Sequence, residues 1–391
     1  MKPILFALVV GCVSFGVALA DDAPKTPATP SLAEVTANLE VNPNDVTTFN
    51  LFINESLRSI APLTQSKFDE AEKKLDEFKK VLDSLEPTEA PAKAALARAR
   101  ALATSYADII ATNRTPLSEF EKQLDANPGD AKVLGKYVRK ISNEVGSMAR
   151  TKPVEAEAIL TPAQERITKI KEATDKSDEG KKAEDLTPEE KSLRTQLQLA
   201  VRTMTSLERA VENGHKLLAL IGKDSVPIVA DAWVNGSPLT TDDLKGKVVL
   251  LDFWAIWCGP CIATFPHLRE WNEKYSDKGL VMIGMTRYYK YEWDEKAGRA
   301  VKAKGEVTSE AEQEMLVKFA EHHKLHHRFA LQKNEDSLAD DYAVTGIPHV
   351  VVIDRQGKVR LIRVGSGDAN AKDIEEMLEK LLKEPAAAAG G

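Results

Sequence analysis

The stretch between residues 248 and 271 constrains the fold more than any other part of this chain. An apolar run typical of a buried strand leads directly into the pair Cys258 and Cys261, and apolar residues then recur at helical spacing. Strand, tight turn and helix in this order place Cys258 at a helix N-terminus. Unpaired backbone N–H groups and the helix macrodipole favour a thiolate over a thiol there. Two residues between the sulfurs is also a span that a disulfide can bridge.

A Cys-x-x-Cys pair can also be half of a zinc site, which needs two further Cys or His ligands at a suitable spacing. The only other cysteine is Cys12, which lies in a predicted targeting segment. The pair Cys258 and Cys261 follows a strand, has Gly-Pro between its sulfurs and stands beside Trp257. These features favour redox chemistry over a structural metal, and we expect no metal site.

Residues 257–261 match without change the motif Trp-Cys-Gly-Pro-Cys of the thioredoxin superfamily, which this sequence resembles. The lead-in over residues 225–247, with a strand, an Asn-Gly turn and the segment Leu-Lys-Gly-Lys, is similar to that of TlpA/ResA-type extracytoplasmic thiol–disulfide oxidoreductases. The resemblance covers residues 224–383. It implies an α/β thioredoxin-like fold, with a central mixed sheet flanked by helices, and a redox-active disulfide between Cys258 and Cys261 without any cofactor.

The resemblance also implies roles for residues around the cysteines. Ile347–Pro348 takes the position of the cis peptide that packs against the disulfide in this fold. Asp252 stands where thioredoxins bury an acid, whose raised pKa lets it exchange a proton with Cys261; a partly solvated Asp at the strand end is the alternative. We expect Cys258, Cys261, Asp252 and Pro348 to be catalytic, and Trp257, Gly259, Pro260, Ile347 and His349 to contact the substrate.

Three residues depart from the family pattern. Thr264 stands where many members have Glu, His349 follows the proline where Thr is common, and Asp252 replaces a frequent Asn. The reaction class survives these changes, but the preferred partner does not follow from the resemblance.

The implied reaction is thiol–disulfide exchange. Cys258, exposed and of depressed pKa, attacks a substrate disulfide, and Cys261 resolves the mixed disulfide, with His349 as a secondary proton donor. The Gly-Pro pair resembles the reducing members, whose potentials lie near about −270 mV, so we expect a reductase of exported protein disulfides. The chain has no second cysteine pair, so an external thiol donor is required, and a membrane redox protein is one candidate.

Two other functions stay open. A peroxidase of the peroxiredoxin type needs Thr three residues before its reactive cysteine, where this chain has Ala255. A helical scaffold could instead use the redox pair to regulate docking.

Residues 1–20 resemble a secretory signal peptide, with Lys2, an apolar stretch and an Ala-Leu-Ala cleavage site ending at Ala20. Their apolar stretch is too short for a transmembrane helix. A lipoprotein cleavage box ending at Cys12 is the alternative, although the residues after Cys12 stay apolar. We therefore expect an exported protein of the bacterial periplasm or another extracytoplasmic compartment, in which the remaining two cysteines are catalytic.

Composition outlines the rest of the chain. Its 391 residues can hold two or three domains, and a net charge of −7 argues against a nucleic-acid partner. Besides the signal peptide, we predict a flexible linker over 21–30, a helical domain over 31–222, a thioredoxin-like domain over 223–384 and a disordered tail over 385–391.

The helical domain has the pattern of a tandem duplication, with copies over 31–115 and 116–220. Residues 32–45 align without gaps on residues 117–130, an offset of 85, and each segment contains an Asn-Pro turn. Chance similarity between two biased helical segments is the alternative. No catalytic group of residues is visible here, so we predict a repeat-like spacer or a docking surface for a partner.

Four histidines, His322, His323, His326 and His327, form i,i+4 pairs that could bind a metal if one helix continued through them. The next strand is predicted to begin at Arg328, so we expect the helix to end within this cluster.

An aromatic insertion runs from Arg287 to Gly305, after a strand predicted over 280–285. This strand should run parallel to the one before Cys258, which places the insertion at the same sheet edge as the cysteines. A substrate platform and a lid packed over the helix are both compatible with it.

Overall fold

The computed structural model describes residues 30–333 and 338–385. The predicted signal peptide, the linker up to residue 29 and the tail from residue 386 lie outside the described residues. The described residues divide into two compact units, with the border between Pro116 and Leu117.

The first unit is built of helices, as predicted. Its helix over Phe68–Ser84 buries Ala71, Leu75, Phe78 and Leu82, one amphipathic stripe at helical spacing. These side chains share a core with Phe49 and Phe52 of the preceding helix. The helices are α1 (Leu32–Val41), α2 (Val46–Ile60), α3 (Phe68–Ser84) and α4 (Ala90–Arg114).

The second unit begins with four more helices, α5 (Leu117–Ala126), α6 (Ala131–Met148), α7 (Pro153–Ser177) and α8 (Pro188–Leu220). The first three begin 85 residues after α1, α2 and α3. The N-caps agree too, since Asp45 and Asp130 each accept backbone N–H groups from the second and third residues that follow. A common origin of the two sets stays a prediction.

The rest of the second unit is α/β. Its strands are β1 (Ala232–Val234), β2 (Val248–Phe253), β3 (Leu280–Arg287), β4 (Tyr291–Asp294), β5 (Arg299–Lys302), β6 (Arg328–Gln332), β7 (His349–Ile353) and β8 (Val359–Val364). Its helices are α9 (Thr241–Leu244), α10 (Gly259–Tyr275), α11 (Ser309–His322), α12 (Leu338–Asp341) and α13 (Asp368–Lys383).

Six strands form one sheet in the order β1-β6-β3-β2-β7-β8, and β4 pairs with β5 in a separate hairpin. Strands β2, β3 and β6 run parallel, whereas β1, β7 and β8 pair antiparallel with their neighbours. This confirms the mixed sheet flanked by helices, and it confirms that β3 runs parallel to β2.

Each face of the sheet has its own core. On one face, Leu250 and Trp254 pack with Phe265 of α10 and Phe319 of α11. Gly284 allows this packing, because a Cβ there would lie 2.8 Å from the Trp254 indole nitrogen. The other face includes Leu251, Phe253, Met285, Tyr342 and, from α8, Leu217.

Helix α8 therefore belongs to the same unit as the sheet. The Asn213 side chain donates a hydrogen bond to Thr345 Oγ1 at 3.0 Å, just before the predicted cis peptide. The border between the compact units lies at residue 116. The domain boundary after residue 222 stays a prediction.

In the part of the chain that the structure describes, no helix combines the length and apolar character needed to cross a membrane.

A pair of glycine substitutions tests how closely α8 packs within the second unit. A Cβ at Gly214 would lie 1.8 Å from the carbonyl oxygen of Ala149, in the turn after α6, whereas a Cβ at Gly146 would meet no atom within 4 Å. We expect Gly214→Ala to lower the free energy of unfolding by about 1–3 kcal/mol through overpacking. The control Gly146→Ala should be neutral or stabilising by up to about 1 kcal/mol. Urea denaturation measures both, and equal stabilities would contradict this packing.

Candidate active site

The two cysteines lie where a buried strand turns into a helix. All six residues of β2 are buried, and the Trp254 N–H donates to the Met285 carbonyl, which ties the start of the turn to β3. Cys258 is the N-cap of α10, and its Sγ accepts the Cys261 N–H at 3.2 Å. Once the pair is reduced, this helix N-terminus stabilises a thiolate on Cys258.

Cys258 and Cys261 are joined by a disulfide, with their Cα atoms 5.2 Å apart. The expectation that Cys258 is exposed was wrong, because this residue is only 4% exposed and belongs to the core beside Trp254 and Phe265. The exposed part of the motif consists of Trp257, which is 55% exposed, with Gly259 and Pro260. A substrate therefore meets these three residues around a recessed disulfide.

Asp252 lies on β2 with only 2% of its surface exposed. Alternation along the strand places it on the same face as Leu250, in the core that contains Cys261. Among the described residues, neither carboxylate oxygen has a hydrogen-bond partner. Burial raises the pKa of this carboxyl to about 7. The alternative of a partly solvated Asp is therefore wrong, and a carboxyl with this pKa can take up or release a proton near neutral pH.

The Ile347–Pro348 peptide is cis, as the resemblance implied. It immediately precedes β7, whose first residue, His349, pairs with Phe253 at the end of β2. The cis peptide therefore lies at the sheet edge from which the chain runs on to Cys258. The Pro348 carbonyl accepts the Gly365 N–H at 2.8 Å, which ties this loop to the end of β8.

His349 is fully buried, so the structure does not support the predicted substrate contact through its side chain. It lies on the face opposite Asp252, with its ring edge-to-face to Phe253 at 5.6 Å. Burial, with a smaller contribution from the Arg150 charge, lowers the pKa of His349 to about 4. A neutral, enclosed imidazole is part of the core rather than a donor to substrate.

Thr264 stands at the position where many relatives have Glu. Its hydroxyl donates to the Cys261 carbonyl at 2.7 Å, within the first turns of α10. This residue therefore supplies no carboxylate beside the disulfide.

The aromatic insertion forms the β4–β5 hairpin and the segment that leads into it. The Tyr289 ring packs edge-to-face against Trp257, with ring centroids 5.9 Å apart. This segment is held by Glu312 of α11, which the sequence pattern did not single out. Its carboxylate accepts backbone N–H groups from residues 289–291. The sequence does contain one indication that Glu312 is buried. This residue falls on the apolar stripe of α11 with Met315, Leu316, Phe319 and Ala320.

Helix α11 ends at His322, within the histidine cluster, as predicted. The ring of His322 packs against Trp293, and that of His323 against Phe319. Across residues 30–333 and 338–385, no three His, Cys, Asp or Glu side chains are grouped as a metal site requires. His322 and His323 therefore contribute ring packing here.

A cleft of about 850 Å³ lies at the other end of β2 from the cysteines. Its lining includes Lys245, Val249, Ile353 and Arg355, and none of the predicted site residues. The chemistry of the disulfide is therefore separate from this cleft.

Residues 222–379 match the protein family described as Redoxin. Over 162 residues, the chain is 28% identical to the thiol-disulfide oxidoreductase ResA of Bacillus thuringiensis subsp. konkukian, covering 41% of this chain and 78% of ResA. It is 32% identical over 156 residues to protein DipZ of Mycobacterium bovis, where the match spans only 19% of the relative's length.

Among solved structures, a thiol:disulfide interchange protein of Chlorobium tepidum aligns with 41% of this chain and 96% of its own, at 20% identity and a TM-score of 0.31. Residues 222–379 thus match the Redoxin family, and the same part of the chain is similar in sequence to thiol-disulfide oxidoreductases.

Proposed function

We propose that this protein is a thiol–disulfide oxidoreductase that reduces disulfides of exported proteins. The observation that carries the proposal is the Cys258–Cys261 disulfide at the N-terminus of α10, above a buried carboxyl and at the same sheet edge as a cis proline. The sequence similarity to the thiol-disulfide oxidoreductase ResA also supports thiol–disulfide exchange as the reaction.

The proposed reaction begins with the reduced pair. The Cys258 thiolate attacks one sulfur of a substrate disulfide, which breaks that bond and releases one substrate thiolate. Cys261 then attacks Cys258 Sγ, forms the intramolecular disulfide and releases the second substrate thiol. Two electrons pass from the dithiol to the substrate, and the disulfide in this structure is the oxidised product.

Asp252 supplies the proton step. Cys261 is fully buried and needs a base before it can attack, and Asp252 is the buried carboxyl on its face of the sheet. Because the pKa of Asp252 is about 7, its ionised form is available near neutral pH to accept the Cys261 proton. The proton returns when the pair is reduced again.

The cycle needs an external thiol donor, because Cys12 is the only further cysteine of the chain. We propose a membrane redox protein as this donor, consistent with an extracytoplasmic location suggested by the sequence of residues 1–20. The electrons come from the dithiol itself, so the proposed reaction uses no other cofactor. Helices α1–α8 are proposed as a docking surface that favours particular partners.

The first test removes the attacking sulfur. We expect the purified protein to accelerate reduction of insulin disulfides by dithiothreitol, and Cys258→Ser to lower the rate to that of dithiothreitol alone, because no mixed disulfide can form. Precipitation of the insulin B chain measures the rate. Equal rates for the wild type and Cys258→Ser would rule out the assignment.

The second test removes the resolving sulfur. Cys261→Ser should accumulate a mixed disulfide between Cys258 and the substrate, since the internal attack that releases it is lost. Non-reducing gels should show an adduct that dithiothreitol dissolves. The double variant Cys258→Ser/Cys261→Ser is the control, and an adduct of equal yield there would place the attack elsewhere.

The third test concerns Asp252. Folding raises the pKa of this carboxyl from 3.8 to about 7. The contribution of the carboxyl to the free energy of unfolding is therefore fully present below pH 3.8 and is lost as pH rises through 7. We expect Asp252→Asn to gain stability over the wild type between pH 4 and pH 8, by at most about 4 kcal/mol. Urea denaturation of the oxidised proteins measures this gain. Parallel pH profiles would show that the carboxyl titrates normally.

A further inference from the structure

Glu312 of α11 is a buried carboxylate with an unusual set of partners. It is 2% exposed, yet it forms no ion pair in the described structure. Its oxygens instead accept backbone N–H groups of Tyr289 at 2.5 Å, Lys290 at 3.0 Å and Tyr291 at 3.3 Å. A buried carboxylate is costly unless hydrogen bonds compensate for its lost hydration, and charge-assisted bonds of this kind are the strong ones.

The three N–H groups converge because Lys290 has left-handed backbone, with a φ of 59°. Successive N–H groups in such a turn form a concave site for an anion, which Glu312 fills from within the protein. Two further hydrogen bonds hold this segment. Lys302 Nζ, at the end of β5, donates to the Tyr289 carbonyl, and the Ala303 N–H donates to the Lys290 carbonyl at 3.0 Å. Residues 289–291 are therefore fixed on both sides.

Tyr289 connects this fixed segment to the residues around the disulfide. Its ring packs edge-to-face on Trp257, the residue directly before Cys258. Trp257 nevertheless stays 55% exposed, so the hairpin does not cover it as a lid would. The charge of Lys290 is paired with Glu306 at 3.2 Å.

We propose that Trp257 and Tyr289 form an aromatic ledge that selects disulfide substrates with an aromatic or large apolar side chain next to the attacked cysteine. Glu312 is the positioning residue that holds the ledge. This proposal rests on the proposed thiol–disulfide exchange and names the substrate class of that site. Aromatic rings gain from edge-to-face and stacked contacts beyond the burial of their surface, which favours such side chains over small polar ones.

The test uses two synthetic peptides with one intramolecular disulfide each, identical except for Phe or Ser directly before the attacked cysteine. We expect the reduced wild-type protein to show a kcat/KM about tenfold higher for the Phe peptide, through a lower KM. Tyr289→Ala should bring the ratio of the two kcat/KM values close to one. Tyr289→Phe should preserve it, because the ring contact does not need the hydroxyl.

Glu312→Gln tests the positioning role, because its amide nitrogen cannot accept a backbone N–H group and at least one of the three hydrogen bonds is lost. We expect a several-fold rise in KM for the Phe peptide with little change in kcat. The emission of Trp257, obtained as the difference from a Trp257→Phe counterpart, should also shift to the red. Glu292→Gln is the matched control on the exposed side of the hairpin, and it should change neither value.

The outcomes separate this proposal from the function on which it rests. If the wild type reduces neither peptide, the proposed function fails. If it reduces both with equal kcat/KM, the function stands and the ledge is overturned. A wild-type preference that Tyr289→Ala retains would overturn the role of Tyr289. Should Glu312→Gln fail to fold, the two Tyr289 variants still decide the proposal, and a folded Glu312→Gln with unchanged KM would remove Glu312 from it.

Discussion

Strand β2 is buried on both faces and hydrogen-bonded on both edges, and the geometry of the site depends on this. Its parallel neighbour β3 ends in the segment that carries Tyr289, and its antiparallel neighbour β7 begins directly after the cis peptide. The three chain segments therefore meet at one edge of the sheet, where β2 leads into Cys258. A parallel pair and an antiparallel pair around one central strand are sufficient to bring the redox pair, the cis proline and the aromatic hairpin together.

Glu312 and Asp252 are two buried carboxyl groups near this edge, and their different hydrogen-bond partners give them different roles. Glu312 is saturated with backbone N–H groups and holds a loop in place. Asp252 has no partner in the described part of the chain, and burial alone raises its pKa to about 7. A carboxyl without hydrogen bonds to its charged form can change protonation near neutral pH, which suits the proton transfer that thiol–disulfide exchange requires.

The second compact unit also joins helices to the redox domain. Leu217 of α8 is part of the core on the face that contains Phe253 and His349, and Asn213 hydrogen-bonds to Thr345 two residues before Ile347. Helix α8, which shares a core with α5–α7, is thus in contact with the loop that carries the cis peptide. Any partner that binds these helices would act within one packed unit rather than through a flexible linker.

The sequence by itself determined the features that depend on local order along the chain. The strand–turn–helix around Cys258, the cis peptide, the parallel strand β3 and the helices with their 85-residue offset all follow from periodicity or from matching motifs. Only the tertiary structure decided that Cys258 is buried and that His349 is enclosed on the face opposite Asp252. It also decided the hydrogen bonds from residues 289–291 to Glu312 and the unit border at residue 116. The physical reason is that these depend on which distant segments pack together. A period of two or of 3.6 residues assigns a side chain to a face, but the segment that covers this face is set by the whole fold.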